Sequence, residues 1–294
     1  MKIAIIGTGI MGTGVGRTLI DHGHEVFCYN RTRQNADDLV KHGATFCVTP
    51  RQAAESATHT IILVWNQAAL NAVLEGDDGL FACAGKGRVF IDMSTQLPET
   101  ARREGGEFER RGALFLDAPV HGSKAEANSG GLWIMAGGTQ ESWQAALPVL
   151  SLIGASAHYM GETGAGCIAK LCGNHLVSAI LASLAESLAM AKKAGIDGYE
   201  LIKLWGESDF RSPIIEGAGR SMLDHDFAVS FHLRTMVKDT ELIRNYSETI
   251  GVPVMLSNIV HELNKISQNR GWGEENASAI FRLFEEMAGI DDKK

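Results

Sequence analysis

The sequence predicts an α/β protein in two parts: an N-terminal half built on a parallel-rich sheet with crossover helices, and an all-helical C-terminal half. Three observations predict it. Short β-branched runs alternate with helical patterns as far as Ile153. A glycine run, Gly7-Thr-Gly-Ile-Met-Gly12, stands between the first such run and the first helical pattern. Beyond Gly166 strand signals nearly cease.

Residues 2–6 read as the first strand, and the glycine run opens a helical pattern through Val15, Leu19 and Ile20 to a stop at Asp21-His-Gly23. Strand, glycine turn and helix come in the order that holds a dinucleotide. Gly7 makes the tight turn, Gly9 admits a pyrophosphate against backbone, and Gly12 lets the helix pack on the strand. Ile10 and Met11 lie in the same turn, where the helix N-terminus stabilises phosphate charge.

A second strand, Glu25 to Tyr29, ends at Asn30-Arg31-Thr32, where an NAD enzyme commonly places an acid on the ribose hydroxyls. That acid is missing. Asn30 does not repel a 2′-phosphate, Arg31 can pair with it in forked geometry, and Thr32 can add a hydroxyl. The cofactor expected is therefore NADP(H), the alternative for Arg31 being an exposed turn arginine.

Further strands are expected at 60–65, 88–92 and 113–117, with ligands beyond their carboxyl ends. Val64-Trp65-Asn66, Met93-Ser94-Thr95 and Ala118 to Ser123 should border cofactor and substrate. Ser94 and Thr95 are equally well explained as caps of the next helix, and Trp65 as core or as pocket wall. Leu132 to Ala136 is strand-like, and Gln140 to Ile153 helical.

Gly161 to Gly166 reads as a boundary between a dinucleotide domain, 1–162, and a helical domain, 163–294. A helix of some 30 residues, 163–194, ends at Lys192-Lys193-Ala-Gly195 and should be roughly 45 Å long. Near its start Lys170 and Asn174 share one face, with Cys167 and Gly173 as small neighbours. A lysine lowered in pKa by partial desolvation can donate a proton to a carbonyl oxygen that receives hydride, or take it back. A surface lysine at a helix start is the alternative.

Composition narrows the field. The chain has 294 residues, 45% of them hydrophobic, enough for two cores. A net charge of −8 argues against nucleic acid, and no basic run marks a membrane surface. Cys28, Cys47, Cys83, Cys167 and Cys172 are odd in number and lack C-x-x-C pairing. Neither a disulfide framework nor a metal site is expected, and a reducing cytoplasm fits. Glycines interrupt the first apolar stretch, so export is not expected. Leu176 to Ala191 contains Glu186 and falls short of the roughly 20 residues a membrane span needs.

Four motifs together resemble the β-hydroxyacid dehydrogenase family, which includes 3-hydroxyisobutyrate dehydrogenases and tartronate semialdehyde and glyoxylate/succinic semialdehyde reductases. They are Gly7 to Gly12; Asp117-Ala-Pro-Val-His-Gly-Ser123; Gly164-Ala-Gly-Cys-Ile-Ala-Lys170 with Asn174; and Phe231-His-Leu-Arg-Thr-Met-Val-Lys238-Asp239. The resemblance spans nearly the whole chain. It implies a Rossmann domain, a long interdomain helix, and a helical domain that forms homodimers or homotetramers. It also implies NADPH-dependent reduction of a small aldehyde acid, with Lys170 as acid/base and Asn174 supporting it and the substrate. The loop with His121, Gly122 and Ser123 would hold the substrate carboxylate through backbone amides. Thr95, Phe231 and Asp239 would border substrate and nicotinamide, and Lys238 would lie against the cofactor.

Gly122-Ser-Lys124 with Ala125-Glu126, and Asn30-Arg31-Thr32, resemble the glyoxylate/succinic semialdehyde reductase branch most. One departure stands out: His121 occupies a position where the family commonly has Ser. Imidazole is larger and can become cationic at about pH 6 to 7. Either it changes the substrate size or charge preferred, or it swings out and leaves only its backbone amide. Trp65 and Trp133 are also unusual. Imine reductases share the architecture but usually replace the lysine. An NADPH-sensing or scaffold protein without catalysis is a further reading, and decarboxylating 6-phosphogluconate dehydrogenases carry a much larger helical domain.

Overall fold

The structure, a computed structural model, describes residues 1–290 and comprises two compact units, the first from Met1 to Lys170 and the second from Leu171 onward. In the first, nine strands form one sheet: β1 (Lys2–Ile6), β2 (Glu25–Tyr29), β3 (Thr45–Phe46), β4 (His59–Ile62), β5 (Val89–Asp92), β6 (Leu114–Asp117), β7 (Val120–His121), β8 (Leu132–Gly138) and β9 (Gly154–Gly161). Their order is β3-β2-β1-β4-β5-β6-β8-β7, with β9 paired to β8. The first six are parallel, as in Ile5 opposite Cys28 and Ile61 opposite Ile91. Their carboxyl ends therefore share one edge, where ligands of such sheets lie. β8 returns antiparallel to β6 and β7.

The strands bury both faces, which is why they read as continuous apolar runs rather than alternating ones. Ile3, Ile5, Ile61, Ile91 and Leu116 enter one core, while Ala4, Ile6, Ile62, Phe90 and Phe115 enter the other. Phe108 stacks on Phe90 at 4.2 Å and on Phe115 at 5.5 Å between ring centroids.

The first unit's helices are α1 (Ile10–Asp21), α2 (Asp37–Lys41), α3 (Pro50–Glu55), α4 (Gln67–Leu74), α5 (Pro98–Arg110), α6 (Lys124–Ser129) and α7 (Gln140–Ile153). Side-chain caps start several: Thr49 accepts from the Gln52 amide with Pro50 following, Asn66 from Ala69, and Thr139 from Ser142. The strand expected at 60–65 stops at Ile62. The short β3 and β7, and β9, had no clear sequence signal. β9 follows α7 directly at Gly154 with no intervening loop, and its GASAHYMG run alternates poorly and pairs with register shifts.

α8 (Ala165–Lys193) begins in the first unit and continues into the second, which adds α9 (Gly198–Glu207), α10 (Pro213–Leu223), α11 (Leu233–Thr249), α12 (Met255–Asn269) and α13 (Ile280–Ala288). Among its described residues this unit contains no strand, only a bridge between His232 and Asn276. By length and composition α8 could cross a membrane. Here Leu181, Leu184 and Leu188 sit in the second unit's core with Ile202, Met236, Val260 and Phe281.

Candidate active site

The turn after β1 is shaped by contacts that only glycine permits. Gly7 has φ +98°, and a Cβ there would lie 2.1 Å from the Leu63 carbonyl oxygen. A Cβ on Gly12 would lie 1.9 Å from the Gly7 carbonyl oxygen, whereas Gly9 faces open space. Gly9 and Ile10 are exposed and Met11 half-buried. The Thr8 hydroxyl is buried without a hydrogen-bond partner among the described residues. An open glycine backbone, a helix N-terminus and an orphaned hydroxyl fit a dinucleotide's phosphates.

Asn30 ties the second strand to this turn. Its Oδ1 accepts from the Thr8 amide at 3.1 Å, and its Nδ2 donates to the Thr32 carbonyl at 2.9 Å. Arg31 and Thr32 beside it are exposed.

Farther along the same edge, Ser94 does not cap a helix, because α5 starts at Pro98 with Leu97 before it. Instead the Val64 amide donates to the Ser94 hydroxyl at 3.0 Å, and the Ser94 amide donates to Asp92 at 2.8 Å. Thr95 is half-buried next to it, and the Trp65 ring is 48% exposed, which makes it no part of the core. Behind them Gln96 Nε2 donates to both Asp92 (2.8 Å) and Glu104 (3.1 Å), two fully buried acids. Burial raises both carboxyl pKa values, and the charge of Asp92 pushes Glu104 up further. Of the two, Glu104 is pushed up the more.

At the end of β6, Asp117 fastens the start of α8. Its two oxygens accept from the amides of Gly164 at 2.7 Å and Cys167 at 2.8 Å. Burial pushes its pKa up to about 6, against the pull of those amides. Gly166 lies so close that a Cβ would fall 2.6 Å from the Asp117 carbonyl oxygen. One turn on from Cys167, Lys170 is buried at the carboxyl edge of the sheet.

His121, the last residue of β7, meets it there. Lys170 Nζ donates to His121 Nδ1 across 3.4 Å. The ring therefore does not swing out. Nor is it cationic at neutral pH, because burial and then the Lys170 charge lower its pKa to about 4. Gly122 follows with φ +118°. Ser123 gives both its amide and its hydroxyl to Glu126, at 2.7 and 2.8 Å, so its amide is already engaged. α6 is seated on α1 through Gly14 against Ala127 and a bond from the Thr18 hydroxyl to the Ala127 carbonyl at 2.9 Å.

In the second unit, Asn174 Nδ2 donates to Asp239 Oδ2 at 2.7 Å, which turns the carboxamide oxygen the opposite way. Asp239 also pairs with Lys238 at 2.7 Å. Phe231 is half-buried against the helical core, its amide donating to Asn276 Oδ1 at 3.0 Å.

Residues 2–161 match the family described as the NAD binding domain of 6-phosphogluconate dehydrogenase, and residues 164–284 that described as NAD-binding of NADP-dependent 3-hydroxyisobutyrate dehydrogenase. The chain belongs to the β-hydroxyacid dehydrogenase family. It is 29% identical over 282 residues to glyoxylate/succinic semialdehyde reductase 1 of Arabidopsis thaliana, covering 95% of this chain and 97% of that one. The 3-hydroxyisobutyrate dehydrogenase of Salmonella typhimurium superposes with a TM-score of 0.88 at 25% identity, over 96% of this chain and 99% of that one. Psf3, solved with NADP+ and 2-OPP, superposes at 0.89 and 25% identity, over 96% and 99%.

In this β-hydroxyacid dehydrogenase the β1 turn, with its open glycine backbone, lies within the matched NAD-binding domain. Asp92, Gln96, Glu104 and Thr18 carry no motif or spacing that marks them in the sequence. Asp117 was visible as the first residue of a motif, but its bonds to α8 were not.

Proposed function

We propose that this dehydrogenase is an NADPH-dependent enzyme interconverting a small aldehyde or keto acid and its hydroxy acid, such as glyoxylate or succinic semialdehyde, with Lys170 as general acid/base. The observation that carries the reading is the buried Lys170 ammonium, held at the carboxyl edge of the sheet by the Asp117 anchor and facing a neutral imidazole. The likeness to glyoxylate/succinic semialdehyde reductase 1 supports the substrate class, and the NADP+ complex of Psf3 supports the cofactor.

When bound, the nicotinamide supplies a hydride to the substrate carbonyl carbon. Lys170 Nζ gives a proton to the carbonyl oxygen as negative charge develops there. Asn174, one helical turn on, supports the ammonium, its carboxamide held by Asp239. Thr95, His121 and Gly122 border the substrate, and the exposed Arg31 takes the 2′-phosphate.

NADPH and NADH oxidation measured with glyoxylate, succinic semialdehyde, tartronate semialdehyde, methylmalonate semialdehyde and a cyclic imine tests this. Lys170→Ala should cut turnover about 10²- to 10⁴-fold and leave NADPH binding nearly intact. Full turnover in that variant would end the assignment. Reaction of the imine alone would move the reading to imine reduction.

The same reading takes a small carboxylic acid as partner, rather than nucleic acid or a membrane. It places the enzyme in the cytoplasm, which the five free thiols support. Assembly as a homodimer or homotetramer is supported by the apolar outer face of α12.

A further inference from the structure

We propose that His121 is a positioning residue for Lys170: its neutral imidazole accepts one ammonium hydrogen through Nδ1 and so fixes the direction in which the remaining N–H bonds of Lys170 reach the substrate oxygen. The inference rests on Lys170 being the acid/base.

The ring's own position comes from the sheet. His121 stands directly opposite Trp133 of β8 in the antiparallel ladder, so the two side chains share one face. Trp133 is half-exposed there. The positive φ of Gly122 then turns the backbone away, and a Cβ at Gly122 would press on Glu126 and Leu132 at 3.0 Å. The backbone leaves and the imidazole stays.

The chemistry of the pair admits one arrangement. An ammonium has only donors, so the Nδ1 it faces must carry the lone pair, which puts the ring's proton on Nε2. A cationic imidazole would repel Lys170 instead, and burial together with the Lys170 charge keeps the ring neutral down to about pH 4. At 3.4 Å the contact is long, as catalytic pairs often are before substrate closes on them.

The carboxylates near the pair are engaged by backbone and side-chain donors, and the nearby thiol is neutral. Cys167, one turn back on α8, has its thiol pushed well up by burial and stays neutral. Asp117 points its oxygens at the amides of Gly164 and Cys167, and Glu126 at Ser123. Lys170 is the one charged group that shifts the His121 titration.

A four-carbon lysine stem is flexible, and a fixed acceptor removes much of that freedom. A serine hydroxyl here would sit beside the substrate carboxylate, as the family resemblance implies. The imidazole instead acts on the proton donor.

The test is the ionisation of Lys170 in the full chain with NADPH bound, read by ¹³C NMR of lysine Cε and assigned with Lys170→Arg. In His121→Leu the ammonium should lose its proton about one pH unit lower, because its charged form loses an acceptor. His121→Asn, whose Oδ1 replaces Nδ1, should restore the wild-type value. In steady-state reduction of succinic semialdehyde, His121→Leu should lower kcat about 10- to 100-fold with KM little changed, and the alkaline limb of the kcat profile should move acidward. His121→Asn should recover both. An unmoved Lys170 titration, or a rise in KM alone, would overturn the proposal, as would failure of Asn to rescue a folded, NADPH-binding variant. Full turnover in Lys170→Ala would instead overturn the acid/base reading itself.

Discussion

Asp117 and Gly164 lie 47 positions apart in sequence and meet through a 2.7 Å bond from the Gly164 amide to the Asp117 carboxylate. A strand end thereby holds the first turn of the helix that carries Lys170. The second oxygen takes the Cys167 amide, so one buried side chain satisfies two of the orphan donors of α8.

Replacing Asp117 by Ala should leave both amides buried without acceptors, at a cost of about 1–3 kcal/mol each. Thermal unfolding should fall by several degrees, at roughly 2–4 °C per kcal/mol. Turnover should fall as well, because Lys170 follows one turn after Cys167. Unchanged unfolding with unchanged turnover would show the helix start to be held by other means.

Glu104 makes stability depend on pH. Its folded pKa is raised by burial and then by Asp92, whereas in the unfolded chain it titrates at about 4.3. Between those values the native state keeps a proton that the unfolded state has lost, so stability falls as pH rises through that window. Asp117, raised to about 6, adds a slope of the same sign over a narrower pH window. Glu104→Gln keeps the shape, accepts from Gln96 and cannot titrate. Its melting temperature should vary less from pH 5 to 9 than that of the wild type. Parallel curves would mean that Glu104 is charged in the folded protein.

The parts of the site that were legible in the sequence are those set by local chain geometry. The Gly7 turn follows a strand directly, and Lys170 and Asn174 sit at helical spacing near the start of a helix. Glu104 was hidden because RREGGEFER reads as a solvated helix surface. It is buried because Gly105 lets α5 approach the Phe115 ring, where a Cβ would come within 3.0 Å. That the His121 ring stays in rather than swinging out follows from a cross-strand pair and a partner 49 residues away. Ser94 looked like a cap, but its hydroxyl serves a neighbouring strand end. In each case the deciding contact joins elements far apart in sequence, which neither periodicity nor turn chemistry records.

Arg31 should decide between the two nicotinamide cofactors. It is exposed at the end of β2, next to an Asn30 whose carboxamide is committed to the glycine turn. A charge-assisted contact to a 2′-phosphate is worth about 1.5–3 kcal/mol, roughly 10- to 150-fold in affinity. Arg31→Ala should lose that factor for NADPH and leave NADH binding nearly unchanged, as read by fluorescence titration. Equal losses for both would make Arg31 a general contributor to the turn and remove the basis for NADPH selectivity.

α12 turns its polar side inward. Ser257 pairs with His175 at 2.6 Å and His261 with Thr240 at 2.9 Å, while Asn264 and Ser267 donate to the carbonyls of Val260 and Leu263. The outward side carries Met255 at 78% exposure, Ile259 at 60%, Leu256 at 51% and Ile266. A neighbouring run of apolar side chains left in water is costly and marks a contact surface. A second copy of the chain is the occupant in the proposed assembly, and a stable interface needs roughly 1,200–2,000 Å² of buried surface, more than α12 alone supplies. Charges placed in the middle of such a face meet a partner across it and lose their water, so Met255→Glu with Ile259→Glu should separate the subunits. Light scattering should give a multiple of the chain mass for the wild type and a single chain mass for the double variant, with helical circular dichroism unchanged. A wild-type mass equal to one chain would remove the homo-oligomer and leave the face to another partner.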